Sequence, residues 1–154
     1  MGTQSKQRKG TIGILTGGGD VPGLNPAIRA VTIRALRENY KVIGIRRGYA
    51  GLLELDRENE DANCNCYTEL TEDVVNKAGR TGGTFLHSSR MNPGKIPKDS
   101  VPGHFQDKYN KKVNDLTPEI LKNLDYLDID YLIPIGGDDT LSYAVRLYSE
   151  GVKI

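Results

Sequence analysis

The chain has 154 residues, room for one domain with its own core, and its 21 Lys plus Arg against 20 Asp plus Glu leave a net charge of +1. That balance removes the electrostatic basis for wrapping nucleic acid or coating an anionic membrane. Charged residues at 27% and apolar ones at 37% fit a soluble globular protein, and no apolar run approaches the ~20 residues that cross a bilayer.

From the N-terminus, Met1 to Lys9 lacks the apolar stretch of a secretory signal, which predicts a cytoplasmic location; Lys6 stands where a myristoylation signal on Gly2 requires Ser or Thr. Residues 1–10 read as a flexible N-terminus ahead of a domain over 11–154. Thr11 to Thr16 is a buried strand running into Gly17-Gly18-Gly19-Asp20. A helix follows from Asn25, with Pro26 in its first turn and Leu24, Ile28, Val31 and Ala35 on one face. Tyr40 to Ile45 is a second strand, so the opening half is a βαβ unit with parallel pairing.

The polar stretch Glu54 to Asn65 predicts a surface segment. It holds Cys64, and with Cys66 just beyond it the two thiols sit too close to staple a fold; with His87 and His104 isolated they lack a second cluster for a metal. Thr71 to Gly79 reads as a capped helix closed by glycine, and Gly82-Gly83-Thr84 opens the next junction. Asn92 to Asn114, with three prolines and many charges, predicts an excursion that adds little core. Thr117 then N-caps a helix with Pro118 first inside it and Ile120, Leu121, Leu124 and Leu127 buried. Tyr131 to Ile135 is a strand despite Pro134, which removes one ladder donor. It ends in Gly136-Gly137-Asp138-Asp139-Thr140, and Leu141, Ala144, Val145 and Tyr148 mark the buried face of a helix closed by Gly151. Val152 to Ile154 resembles the first half of a further strand, so the chain is expected to be part of something longer.

Glycine, at 18 residues, is about 12% of the chain against a usual ~7%. Twice a strand ends in a glycine turn with an aspartate and feeds a helix, and in a parallel sheet both turns lie on the carboxyl edge, where ligands bind. Glycines let a phosphate approach the backbone, and the helix N-terminus offers unpaired N–H groups with about half a positive charge. A P-loop fails because Leu24 and Asn25 stand where Lys and a hydroxyl are required; a dinucleotide fingerprint fails at Pro22 and at Arg46-Arg47. The competing reading is plain turn chemistry, with Asp138 as a cap and Asp139 complementing the dipole.

Four segments in order, Gly13-Ile-Leu-Thr-Gly-Gly-Gly-Asp-Val-Pro-Gly-Leu-Asn-Pro-Ala-Ile-Arg29, Gly48-Tyr-Ala-Gly-Leu52, Gly82-Gly-Thr-Phe-Leu-His-Ser-Ser-Arg90 and Ile135-Gly-Gly-Asp-Asp-Thr140, resemble 6-phosphofructokinase. The resemblance implies an α/β, three-layer, mostly parallel fold, truncated here, and a phosphotransferase acting on fructose 6-phosphate as a homo-oligomer when full length. It implies catalytic roles for Arg90 and Asp139, donor contacts from Gly18, Gly19, Tyr49, Arg90, Gly137, Asp139 and Thr140, and Mg²⁺ on Asp138. Gly-Gly-Asp-Asp is similar to the pyrophosphate-using members, and Gly-Gly-Asp-Gly to those using ATP. A carboxylate at Asp139 would face the α-phosphate of ATP, where like charges ~4 Å apart repel by about 4 kcal/mol at an effective dielectric of 20. Tyr143 stands where the ATP-using pattern has a small residue beside the adenine.

The family's allosteric Arg-x-x-x-Arg pattern is absent, since Arg34 is turned about 100° from the required position after Arg29. The family's acidic base motif would fall just past Ile154, so the chain alone is expected to bind phosphates and turn over poorly or not at all. The alternatives are an ATP-dependent 6-phosphofructokinase and a non-catalytic phosphate-binding module. The Gly-Gly-Asp turn shared with NAD and lipid kinases leaves residues 13–29 unexplained.

Overall fold

A computed structural model describes residues 8–19, 22–78 and 81–154. Most of the expected flexible N-terminus, residues 1–7, lies outside the described residues, as do Asp20 and Gly79; Gly10 already opens the first strand, and Lys9 N–H donates to Asn39 O at 3.0 Å. The main sheet contains β1 (Gly10–Thr16), β2 (Tyr40–Ile45), β3 (Tyr67–Glu69) and β6 (Tyr131–Ile135) in the order β3-β2-β1-β6. A separate antiparallel pair joins β4 (Ile96–Pro97) to β5 (Val113–Asn114).

β1 pairs in parallel with β2 and β6, in register Ile12 with Val42 and Tyr131, as expected for apolar strands returned by crossover helices. Among the described strands of the main sheet, β3, which the sequence did not announce, is the one that runs antiparallel. Leu132 N–H donates outward to Lys153 O at 2.8 Å, on the side away from β1. Pro134 lies two residues on and points its missing donor the same way, so the ladder to β1 is intact.

Side-chain alternation divides the core between the two faces. Ile14 and Val42 pack with α1 (Leu24–Arg37) and α3 (Glu72–Ala78) through Ile28, Ala35 and Val75. Leu15, Ile43, Ile45 and Leu132 pack on the other face with α2 (Tyr49–Glu54), α4 (Thr117–Tyr126) and α5 (Asp138–Ser149). Two helical layers around a mostly parallel sheet make the expected three-layer α/β fold. Among the described residues no helix is long and apolar enough to cross a membrane.

Three expectations need correction. The excursion over 92–114 does contribute core: Ile96, Val101 and Phe105 are buried against the α4 side. Thr117 is not the N-cap of α4. Leu116 holds that position, Asp115 Oδ1 accepts the Thr117 N–H at 2.9 Å, and the buried Thr117 hydroxyl accepts from Tyr143 Oη at 3.1 Å. The buried stripe of α5 is Thr140, Tyr143, Ala144 and Leu147, whereas Leu141, Val145 and Tyr148 are 46%, 69% and 69% exposed. Both stripes have helical spacing, and the seating of Thr140 against the first glycine junction decides which faces the sheet.

Candidate functional site

β1 and β6 end side by side, and Gly17 N–H donates to Ile135 O at 2.8 Å, which brings the two glycine junctions together on the carboxyl edge of the sheet. They bound a cavity of about 640 Å³ lined by Gly17 to Gly19, Leu24, Arg90 and the stretch 135–140. A larger cavity of about 820 Å³ opens at the amino-terminal ends of the strands, beside Lys41, Asp125 and Asp130, away from both junctions.

The glycines of the two turns have different physical reasons. A Cβ on Gly17 would strike the Thr140 side chain, and one on Gly136 would come within 2.6 Å of Gly17 O, so these two are required where the junctions touch. Gly18 has φ +86, the left-handed region. Among the described residues, and beyond the adjoining links of the chain, nothing lies within 4 Å of where a Cβ on Gly19 or Gly137 would stand, and Gly137 is extended, with φ −87 and ψ −166. Folding therefore makes no demand for glycine at 19 or 137. What glycine secures there is backbone open to the cavity.

Gly137 is the N-cap of α5 with no side-chain cap, so the first N–H groups of a 12-residue helix open onto the cavity with the positive end of its dipole. Asp138 and Asp139 form its first turn; both are exposed, and neither has an ion-pair partner among the described residues. The competing reading of Asp138 as a plain N-cap is not met, since Gly137 holds that position.

Arg90 is carried to the rim by a segment fastened to the first junction. Ser88 Oγ donates to Gly18 O at 2.6 Å, Gly18 N–H donates to Ser89 O at 3.4 Å, and Thr16 Oγ1 donates to His87 O at 2.9 Å. Upstream, Asn25 Nδ2 donates to Thr81 O at 3.0 Å and its Oδ1 accepts from Phe85 N–H at 2.9 Å, tying the Gly82-Gly83 turn to α1. Arg90 itself is exposed, with no hydrogen-bond or ion-pair partner among the described residues. The clamp residues Ser88 and Ser89 went unread in the sequence, although they directly precede Arg90; Leu24, Gly17 and Gly136 were likewise missed as lining.

Of the donor-contacting residues expected, Gly18, Gly19, Arg90, Gly137, Asp139 and Thr140 line this one cavity together with Asp138. Tyr49 does not. It is buried beneath the site, its Oη donates to Thr140 O at 3.2 Å, and its ring meets that of Tyr143 edge-on at 4.8 Å. Tyr143 is also buried and does not line the cavity, so the expectation that it fills the place of a small residue beside the adenine is corrected: it braces the first turn of α5 from the core. Burial pushes both phenols up, Tyr143 to about 12, so both remain protonated hydrogen-bond donors at neutral pH.

Comparison with known proteins gives one family. The phosphofructokinase family model matches residues 11–154. A pyrophosphate–fructose 6-phosphate 1-phosphotransferase of Dictyoglomus thermophilum is 39% identical over 143 residues, covering 93% of this chain and 34% of that protein. ATP-dependent 6-phosphofructokinase 2 of Clostridium perfringens is 38% identical over 146 residues, covering 93% of this chain and 35% of its own length. The crystal structure of Pichia pastoris phosphofructokinase in the T-state matches with a TM-score of 0.69 at 28% identity, over 96% of this chain and 14% of that one. The chain thus spans about a third of the length of the first two relatives.

Proposed function

The chain belongs to the phosphofructokinase family, and on that premise we propose that its protein transfers a phosphoryl group from pyrophosphate to the 1-hydroxyl of fructose 6-phosphate. The C1 oxygen forms a bond to one phosphorus as the bridging P–O bond breaks, phosphate leaves, and the hydroxyl proton passes to an acidic base elsewhere on the protein. The observation that carries the reading is the closure of two glycine junctions and Arg90 around one cavity, with the bare N-terminus of α5 opening into it.

Each part has a task in phosphoryl transfer, where positioning and electrostatics supply most of the catalysis. The open backbone at Gly18, Gly19 and Gly137 admits phosphate oxygens, and the α5 N–H groups meet their charge. Arg90 offers a planar fork of donors to the group in transit, and among the described residues no side chain or backbone group engages that fork. Asp138 and Asp139 are hard oxygen donors with no ion-pair partner among the described residues, which suits Mg²⁺ held by one or two carboxylates plus substrate phosphates; Asp138 is the proposed ligand. Magnesium, when bound, neutralises charge on the pyrophosphate oxygens.

The choice of pyrophosphate over ATP rests on Asp139. Asp139 lines the cavity, and on this reading its carboxylate opposes the part of a nucleotide that continues past the second phosphate. Because the group is exposed, solvent screens it, and the repulsion drops from about 4 kcal/mol at an effective dielectric of 20 toward roughly 1 kcal/mol in bulk water. Titration calorimetry with Mg-pyrophosphate and Mg-ATP tests the donor: pyrophosphate should bind the chain several-fold more tightly, and equal or tighter ATP binding overturns that choice. ³¹P NMR of the complete polypeptide with fructose 6-phosphate tests the transfer. Donor binding with no turnover would instead mark a non-catalytic module.

A further inference from the structure

A second cavity on the carboxyl edge, about 490 Å³, lies at the end of β2 between Arg46, Arg47, Glu54, Asn65, Cys66 and His87. It shares no lining residue with the donor cavity, although His87 and Arg90 belong to one short segment. The backbone is bent to build it. Arg46 N–H donates to Cys66 O at 2.8 Å and Arg47 N–H to Leu86 O at 2.7 Å, while Arg47 and His87 both take positive φ, +56 and +58, a costly conformation for residues with side chains.

The two arginines are not equivalent. Arg47 forks onto Glu54, with Nη1 and Nη2 donating at 3.1 and 2.5 Å, so its charge is met. Arg46 is half-buried, its guanidinium has no hydrogen-bond or ion-pair partner among the described residues, and its Nε is shielded from solvent without an acceptor. A guanidinium withdrawn from water and left unmatched is destabilising unless something supplies oxygens. Two cations against one carboxylate leave the cavity with one positive charge to match.

We propose that the cavity between Arg46, Arg47 and His87 is an oxyanion site that takes one phosphate or carboxylate group of a small ligand. Arg46 supplies the uncompensated fork, the Arg47–Glu54 pair fixes the wall opposite, and the exposed Asn65 and His87 stand at the mouth.

The chain contains two histidines, which gives a local probe with an internal control. The ring resonances of His87 and His104 are followed by ¹H NMR at constant pH and ionic strength while inorganic phosphate, and separately malonate, is added. His87 should shift saturably while His104 stays put. Saturation by phosphate alone identifies a phosphate ligand, and saturation by malonate as well identifies a site for either group. Arg46→Gln should weaken the response about tenfold, the effect of losing one charge-assisted donor pair. Arg90→Gln, which alters only the donor cavity, should leave it unchanged. If Arg46→Gln does not fold, Glu54→Gln serves instead: it frees Arg47 and should tighten binding several-fold. A His87 shift that never saturates, that saturates at the same concentration in Arg46→Gln, that vanishes in Arg90→Gln, or that is not strengthened by Glu54→Gln overturns the assignment.

Discussion

Gly17 and Gly19 are two residues apart, yet the fold treats them oppositely. A methyl at Gly17 collides with Thr140 at the contact between the junctions, an overpacking that costs about 1–3 kcal/mol, so Gly17→Ala should lower the urea midpoint clearly. A methyl at Gly19 or Gly137 meets no atom of the described residues beyond its chain neighbours. Gly19→Ala and Gly137→Ala should therefore keep stability within about 1 kcal/mol, allowing for the poorer N-cap at 137, while weakening pyrophosphate binding by tenfold or more in calorimetry. If both bind as tightly as the parent, the open backbone is not where phosphate sits. Asp139 is the second residue with a discriminating test. Asp139→Gly should improve Mg-ATP binding about fivefold, the value of roughly 1 kcal/mol of screened repulsion, with little change for pyrophosphate. No gain for ATP would remove the carboxylate from the account of donor choice.

At the scale of elements, α5 shows where reading by period stops. Its N-terminus was legible because a glycine cluster followed an apolar strand, but its inward stripe was legible only at Ala144, since Leu141-Ala144-Val145-Tyr148 and Thr140-Tyr143-Ala144-Leu147 both recur with helical spacing. Contacts between positions far apart in the chain separate them, Thr140 with Gly17 and Tyr143 with Tyr49 and Thr117. Val145→Ser and Tyr148→Ser should thus each change the unfolding free energy by no more than about 0.5 kcal/mol in urea, whereas Leu147→Ala should cost about 2–5 kcal/mol. The longer strands β1, β2 and β6 were readable as apolar runs. β3, β4 and β5 have three, two and two residues, too few for any alternation to register, and α2 has six. The same limit applies in the site. Glycines and aspartates at strand ends announce themselves, whereas Ser88 and Ser89 look like any loop serines until they are seen clamped to Gly18. Tyr49 was placed by resemblance, which carries position along a motif but not depth beneath a surface.

Across the whole molecule, the layer beneath β2 is joined by one buried carboxylate. Glu119 on α4 is 1% exposed and accepts from Arg57 Nη2 at 2.7 Å, Lys108 Nζ at 2.5 Å and Tyr109 Oη at 3.1 Å, tying the polar stretch after α2 and the 92–114 excursion to one helix. This is why segments rich in charge still pack Leu55 and Phe105 into the core. Burial alone would raise the Glu119 carboxyl, but the hydrogen bonds from Lys108, Arg57 and Tyr109 outweigh it and hold the group down to about 2. A carboxyl whose folded value lies below its unfolded one stabilises fully above about pH 4.5, and that stabilisation drains away as pH falls toward 2. Glu119→Gln leaves Arg57 partly buried without its counter-charge and should cost about 3 kcal/mol at pH 7, lowering Tm by roughly 6–12 °C for a chain of this length. The parent and the variant should converge as pH is lowered from 4.5 to 2, because protonation does to the parent what the substitution has already done. Urea titrations at pH 7, 4.5 and 3 measure this directly. A stability difference that stays constant across the series would mean that Glu119 acts through shape, and that its charge does not hold the excursion to α4.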